Sequence, residues 1–106
     1  MNEQEIQKII DMTIKNLKKN NLLRDSDDII YKETGNELFR YFRGVEDDKI
    51  KQALIDLEHD NYIQVLYMYY RDNIKTEAIA EQLKVDFSTI MRNKKRLVLE
   101  VYKRII

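Results

Sequence analysis

Proline, cysteine and tryptophan are absent from this 106-residue chain, and glycine occurs only at Gly35 and Gly44. Strand-rich folds need a turn every ten residues or so, and tight turns draw on Gly and Pro. Helices need neither in their interiors. The composition therefore predicts an all-α protein, and periodicity divides it into about five to six helices. Without cysteine there is no disulfide framework, thiolate metal site or cysteine nucleophile, which fits a reducing interior. The start, Met1-Asn2-Glu3-Gln4-Glu5, lacks the basic-then-apolar layout of a secretory signal. No apolar run approaches the roughly 18 residues needed to span a bilayer. The expectation is a soluble cytoplasmic chain with one modest core: a small domain, or a helical arm joined to one.

Charge of one sign is also lacking, with 19 basic and 19 acidic side chains in all. The balance hides an asymmetry. Residues 1–60 hold fourteen acidic against ten basic side chains, and residues 61–106 hold five against nine. Beyond Lys84, the basic Arg92, Lys94, Lys95, Arg96, Lys103 and Arg104 face only Asp86 and Glu100. Such an end suits either an anionic partner or a plain solvated helix face.

Apolar residues recur at helical steps along the whole chain. Ile6, Ile9, Ile10, Ile14 and Leu17 make an amphipathic N-terminal helix or arm over 1–24. The polar run Arg24-Asp25-Ser26-Asp27-Asp28 predicts a connection, with Asp25 or Ser26 capping the next helix. That helix covers Asp28–Arg43, turns Ile30, Leu38, Phe39 and Phe42 inward, and stops at Gly44. A third helix, Glu46–Glu58, buries Ile50, Ala53, Leu54 and Leu57. A fourth starts near Asp60 with Tyr62, Val65, Leu66, Tyr69 and Tyr70 on one face. It ends at Asn73, a residue that tolerates the left-handed conformation. Residues 25–106 thus form one helical domain.

The last third carries the chemistry. Thr76 can cap a short helix to Leu83 that buries Ile79, Ala80 and Leu83. Val85 plugs a tight turn, and Asp86 caps a final helix with Ile90, Leu97, Val98 and Val101 inward. Closely crossing helices need a small side chain at the crossing, which Ala80 supplies. A helix-turn-helix over 76–97 results. Its last helix turns Phe87, Ser88, Thr89, Met91, Arg92, Asn93, Lys95 and Arg96 outward. An α-helix fits the major groove of B-DNA, about 12 Å wide, where Arg and Asn pair with base edges. Ser, Thr and Lys reach phosphates. Thr76, Lys84, Lys94 and Lys103 are the expected further phosphate contacts.

The spacing of Ala53-Leu54, Leu57, Val65-Leu66, Tyr70, Asn73-Ile74, Thr76, Ile79-Ala80-Glu81, Leu83, Val85, Ser88-Thr89-Ile90 and Arg92 resembles region 4 of sigma-70-type factors. With Tyr31-Lys32-Glu33-Thr34 and Leu38-Phe39-Arg40-Tyr41 before it, the chain is similar to phage and prophage late-gene transcription regulators of the ArpU and RinA type. The resemblance covers roughly residues 30–102 and is specific over 50–97. It implies a sequence-specific regulator of transcription that binds double-stranded DNA, with Ser88, Thr89, Arg92, Lys95 and Arg96 placed like recognition-helix contacts. Lys84 stands where this family usually has Gly, and Asn93 stands where an apolar residue is common. Nothing matches the polymerase-binding helices of a full sigma factor.

Other constellations point to ordinary roles. The only histidine, His59, lies at a helix junction without the partners that a metal site or general base requires. Asp25-Ser26-Asp27-Asp28 lacks the glycine and distant glutamate of a calcium loop. Tyr62, Tyr67, Tyr69 and Tyr70 follow helical spacing, which favours core over a stacking platform for single strands. No enzyme active site, cofactor, metal, small-molecule substrate or membrane partner is expected. RNA polymerase as a protein partner, a homodimer formed through the N-terminal helix, and a terminase-like packaging role stay open.

Overall fold

Among residues 22–106, which this computed structural model describes (side chains from Ser26 onward), the backbone forms helices, turns and connections but no strand. The fold is all-α. The elements are α1 (Leu22–Phe42), α2 (Asp48–Asp56), α3 (Ile63–Leu66), a π-helical stretch (Tyr67–Arg71), α4 (Thr76–Leu83) and α5 (Phe87–Ile105). None of these helices is long and apolar enough to cross a membrane. The chain divides into two compact units, 1–30 and 31–106, so the boundary falls within α1. The expected N-terminal stripe Ile6 to Leu17 lies outside the described residues.

Asp25, Ser26, Asp27 and Asp28 are not a connection with a cap, because all four are helical residues of α1. Asp27 and Asp28 are exposed. Polar residues on a solvated face do not end a helix when neither Gly nor Pro interrupts it. The real end comes where glycine supplies it. Gly44 takes φ 109°, a left-handed backbone that residues with a side chain resist. Its N–H donates to the Tyr41 carbonyl at 3.1 Å, and Val45 N–H donates to Arg40 at 3.0 Å. This pair of bonds satisfies the last carbonyls of α1.

Unit 31–106 is organised around the segment 63–71, which has a core on either side. On one side Leu38 of α1, Ile50, Ala53, Leu54 and Leu57 of α2 and its end, and Leu97, Val98 and Val101 of α5 close over Ile63, Leu66 and Tyr70. Asp47 starts α2 by accepting from the N–H groups of Lys49 and Ile50 at 3.0 and 3.1 Å. Phe39 meets Tyr70 edge-on with centroids 4.7 Å apart. Gly35 is required by this approach, since an added Cβ would lie 2.9 Å from the Tyr70 hydroxyl. On the other side Val65 and Met68 face Ile79 and Ala80 of α4 and Ile90 of α5.

The helix expected from Asp60 to Asn73 departs from the even 3.6-residue period. After one α-turn it widens into the π-helical stretch, and Asp72 N–H reaches back five residues to the Tyr67 carbonyl at 3.0 Å. The extra residue brings Met68 as well as Tyr70 into the interior. The Tyr70 carbonyl is satisfied across the fold by the Arg43 guanidinium at 2.9 Å. Asn73 ends the stretch at φ 58°, as its residue type predicts.

Candidate nucleic-acid interface

Helices α4 and α5 are joined by Lys84, Val85 and Asp86 alone. Lys84 adopts the left-handed backbone at φ 56°, although it is not glycine. Lys84 N–H donates to Glu81 at 3.3 Å and Val85 N–H to Ala80 at 3.0 Å, the same closing pair that ends α1. Lysine thus fills the position usually held by Gly without changing the turn, at the steric cost of a left-handed residue bearing a Cβ. Val85 packs against the small core, and buried Ala80 sits where α4 meets its neighbours. Lys75, not Thr76, is the N-cap of α4, whereas Asp86 is the N-cap of α5 as expected; neither side chain makes a capping hydrogen bond.

Ile90, Leu97, Val98 and Val101 of α5 are fully buried. At about 100° per residue, Ser88, Arg92, Lys95 and Arg96 fall within an arc of about 100° on the other side. Ser88, Arg92 and Arg96 are exposed, and Lys95 is partly so. Met91 borders this arc and Phe87 opens the helix, at 38% and 46% exposure, high for side chains of their size. Arg92 lies along the surface with Nη2 donating to the Thr89 hydroxyl at 3.3 Å.

Four of the expected contacts are either buried or engaged within the protein. Lys94 is the clearest, at 4% exposure. Its ammonium sits 3.6 Å from the Tyr69 ring centroid and 5.8 Å from that of Tyr31. Cation–π attraction compensates part of the lost hydration, while burial pushes the amine below its ordinary pKa. A phosphate cannot reach it. Thr76 is 8% exposed and buried in the first turn of α4, so its hydroxyl is likewise withdrawn. Asn93 is spent locally. Its Nδ2 donates to the Thr89 carbonyl at 2.9 Å, and its Oδ1 accepts from Arg96 Nε and Nη2 at 3.2 and 3.1 Å. Arg96 is exposed but engaged: Nη1 and Nη2 each donate to one Asp60 carboxylate oxygen at 2.9 Å.

Lys103 keeps the same face as Arg92 but stands eleven residues on, about 16 Å along the axis. It pairs with Glu100 at 3.2 Å. The compact candidate surface is therefore Lys84, Phe87, Ser88, Met91, Arg92 and Lys95, with Thr89 beneath Arg92 and Arg96 at its flank. His59 is in the turn after α2, its side chain 94% exposed and near Glu58 at 3.3 Å.

Asp60 is the residue that sequence reasoning missed at this site. It reads as a helix start, and it does accept from the Tyr62 N–H at 2.9 Å. Its other role depends on a partner 36 residues away, which local spacing does not reveal. The Arg96 guanidinium holds the Asp60 carboxyl below its usual range, aided by the Tyr62 N–H. No protein-family model matches the chain, and neither a curated protein nor a solved structure was found to match it.

Proposed function

We propose that α4 and α5 dock on double-stranded DNA with α5 in the major groove, and that the chain regulates transcription in a sequence-specific manner. The observation carrying this is the shared outward arc of Arg92, Lys95 and Ser88 on a helix whose opposite side is fully buried. An exposed helix anchored on one side, preceded by a short helix and a tight turn, has the shape that enters a groove. Arg92 reaches a base edge, most favourably the paired acceptors of guanine. Lys95 and Lys84 neutralise phosphates and fix the register. Phe87 and Met91 offer apolar surface of the kind that meets thymine methyl groups.

Fluorescence anisotropy against genomic duplex fragments over a salt series tests this. Arg92→Ala is expected to relax discrimination at one base pair by about 1–3 kcal/mol. Lys95→Ala is expected to weaken binding to all sequences alike and to lower the salt slope by about one unit. Equal affinity of parent and both variants for every duplex would overturn the assignment.

The exposed Phe87 and Met91 also favour a second reading, a protein partner such as RNA polymerase. Large apolar groups enrich such interfaces. Capture of that partner from a lysate, undiminished by nuclease and lost in Phe87→Ala, is the outcome that separates the two.

A further inference from the structure

We infer that Asp60 is a positioning residue for DNA binding: it holds the Arg96 guanidinium in a two-point grip and so withdraws one positive charge from the groove-facing arc of α5. This rests on the DNA reading above. Arg96 falls one turn after Arg92 on the outward side, where a guanidinium of ordinary mobility would extend toward a phosphate. Instead, Nη1 and Nη2 meet the two carboxylate oxygens of Asp60 in parallel, each at 2.9 Å. Nε and Nη2 then close on Asn93 Oδ1 at 3.2 and 3.1 Å, and Asn93 Nδ2 is tied to the Thr89 carbonyl at 2.9 Å. Every nitrogen of the guanidinium has a partner on the flank. The planar fork of Arg matches a carboxylate in a way that a Lys ammonium could not.

Asp60 is itself fixed. It lies in the turn between α2 and α3, and its Oδ1 also accepts from the Tyr62 N–H at 2.9 Å. The grip therefore joins that turn to the middle of α5. It is half in water, with side-chain exposures of 44% for Arg96 and 22% for Asp60. Exposed pairs are held weakly. Removal of the acid leaves the guanidinium only the neutral Asn93 Oδ1, an acceptor that a charged phosphate outcompetes.

The salt dependence of duplex binding reads the number of phosphates neutralised, with a slope of about −0.9 per contact for B-DNA. Asp60→Asn keeps an oxygen for the Tyr62 N–H but drops the charge. It is expected to raise affinity several-fold at low salt and to steepen the slope by about 0.9. Asp60→Ser, a second capping residue without charge, should behave alike. Arg96→Ala alone should leave the parent slope unchanged, and the Asp60→Asn, Arg96→Ala double variant should return to it. An unchanged slope in both Asp60 variants, or a shallower slope in Arg96→Ala, would overturn the grip while leaving DNA binding intact. Absence of salt-dependent duplex binding in the parent itself would overturn the DNA reading and this inference together. Circular dichroism of each variant shows that the helices are retained.

Discussion

The two cores of unit 31–106 differ in size and in what they hold. The larger joins α1, α2 and the second half of α5 through eleven buried residues, ringed by aromatic side chains. The smaller has five, Val65, Met68, Ile79, Ala80 and Ile90, and it alone fastens α4 and the tight turn. Stabilisation by burial scales with area removed from water. The part that carries stability and the part that carries the candidate interface are therefore distinct, and α4 should open before the rest. Tyr62 and Tyr69 pack against both cores and form the seam.

The sharpest way to break this comparison is to cut one cavity in each core. Leu97, fully buried in the larger core, should cost about 3 kcal/mol as Leu97→Ala, seen as a lower denaturant midpoint for the whole unit. Ile90→Ala should cost about 2 kcal/mol, but mainly by loosening α4. Amide hydrogen exchange over Thr76–Leu83 would then accelerate while α2 stays protected. Equal acceleration in α2 and α4 would show that the two cores are one cooperative unit.

The larger core and its rim also hold phenols that ionise less readily than in water. Tyr70 and Tyr31 are pushed above their ordinary pKa of 10.0 by burial, and Tyr67 is raised for the same first reason. Their raised folded-state values fix the sign. Below about pH 10 both states are protonated and the fold keeps its full stability. Above it the unfolded chain loses protons that the folded chain retains, so stability falls as pH rises. For the deeply buried Tyr70 this slope is about 1.4 kcal/mol per pH unit in that window. Tyr70→Phe removes it and should flatten the alkaline limb of a stability–pH curve. An unchanged limb would mean that the hydroxyl reaches water.

Much of the architecture was legible in residue periodicity, including the end of α4 at Leu83 and the inward set Ile90, Leu97, Val98 and Val101. Gly44 and Asn73 marked real stops because their left-handed backbones have a residue-level cause. The π-helical stretch was not legible. Its sequence has no distinguishing residue, and the widening is selected by how Met68 and Tyr70 pack on opposite sides. Lys94 departs from expectation in a way its position explains. Ile90, Lys94, Leu97 and Val101 follow the steps of one buried stripe, and spacing outweighs charge type there. The Asp60–Arg96 pair, by contrast, exists only once the chain is folded.

Gly35 sharpens the comparison at smaller amplitude. It lies in the larger core, where alanine would gain about 1 kcal/mol of helix propensity. Its new Cβ would also press on the Tyr70 hydroxyl at 2.9 Å and on Cε1 at 3.3 Å. Overpacking of this kind costs about 1–3 kcal/mol. Gly35→Ala should therefore destabilise by about 1 kcal/mol, and a stabilised variant would show that Tyr70 can move aside.

The smallest effect belongs to the seam itself. Lys94 contributes a buried charge over the Tyr69 ring, and Met has similar length without the charge. Lys94→Met gives up the cation–π contact but also the desolvation penalty, so the two changes oppose each other. At neutral pH the difference should stay within about 1 kcal/mol. The pH dependence separates the two contributions. Burial lowers the folded-state pKa of Lys94 below its ordinary 10.5. Between those two values the unfolded chain binds more protons, and stability rises with pH. The parent should show this gain and Lys94→Met should lack it. Duplex affinity and salt slope should be the same in both, because the ammonium faces the seam rather than the groove. A shallower slope in Lys94→Met would return Lys94 to the outer surface and erase the boundary between the two cores.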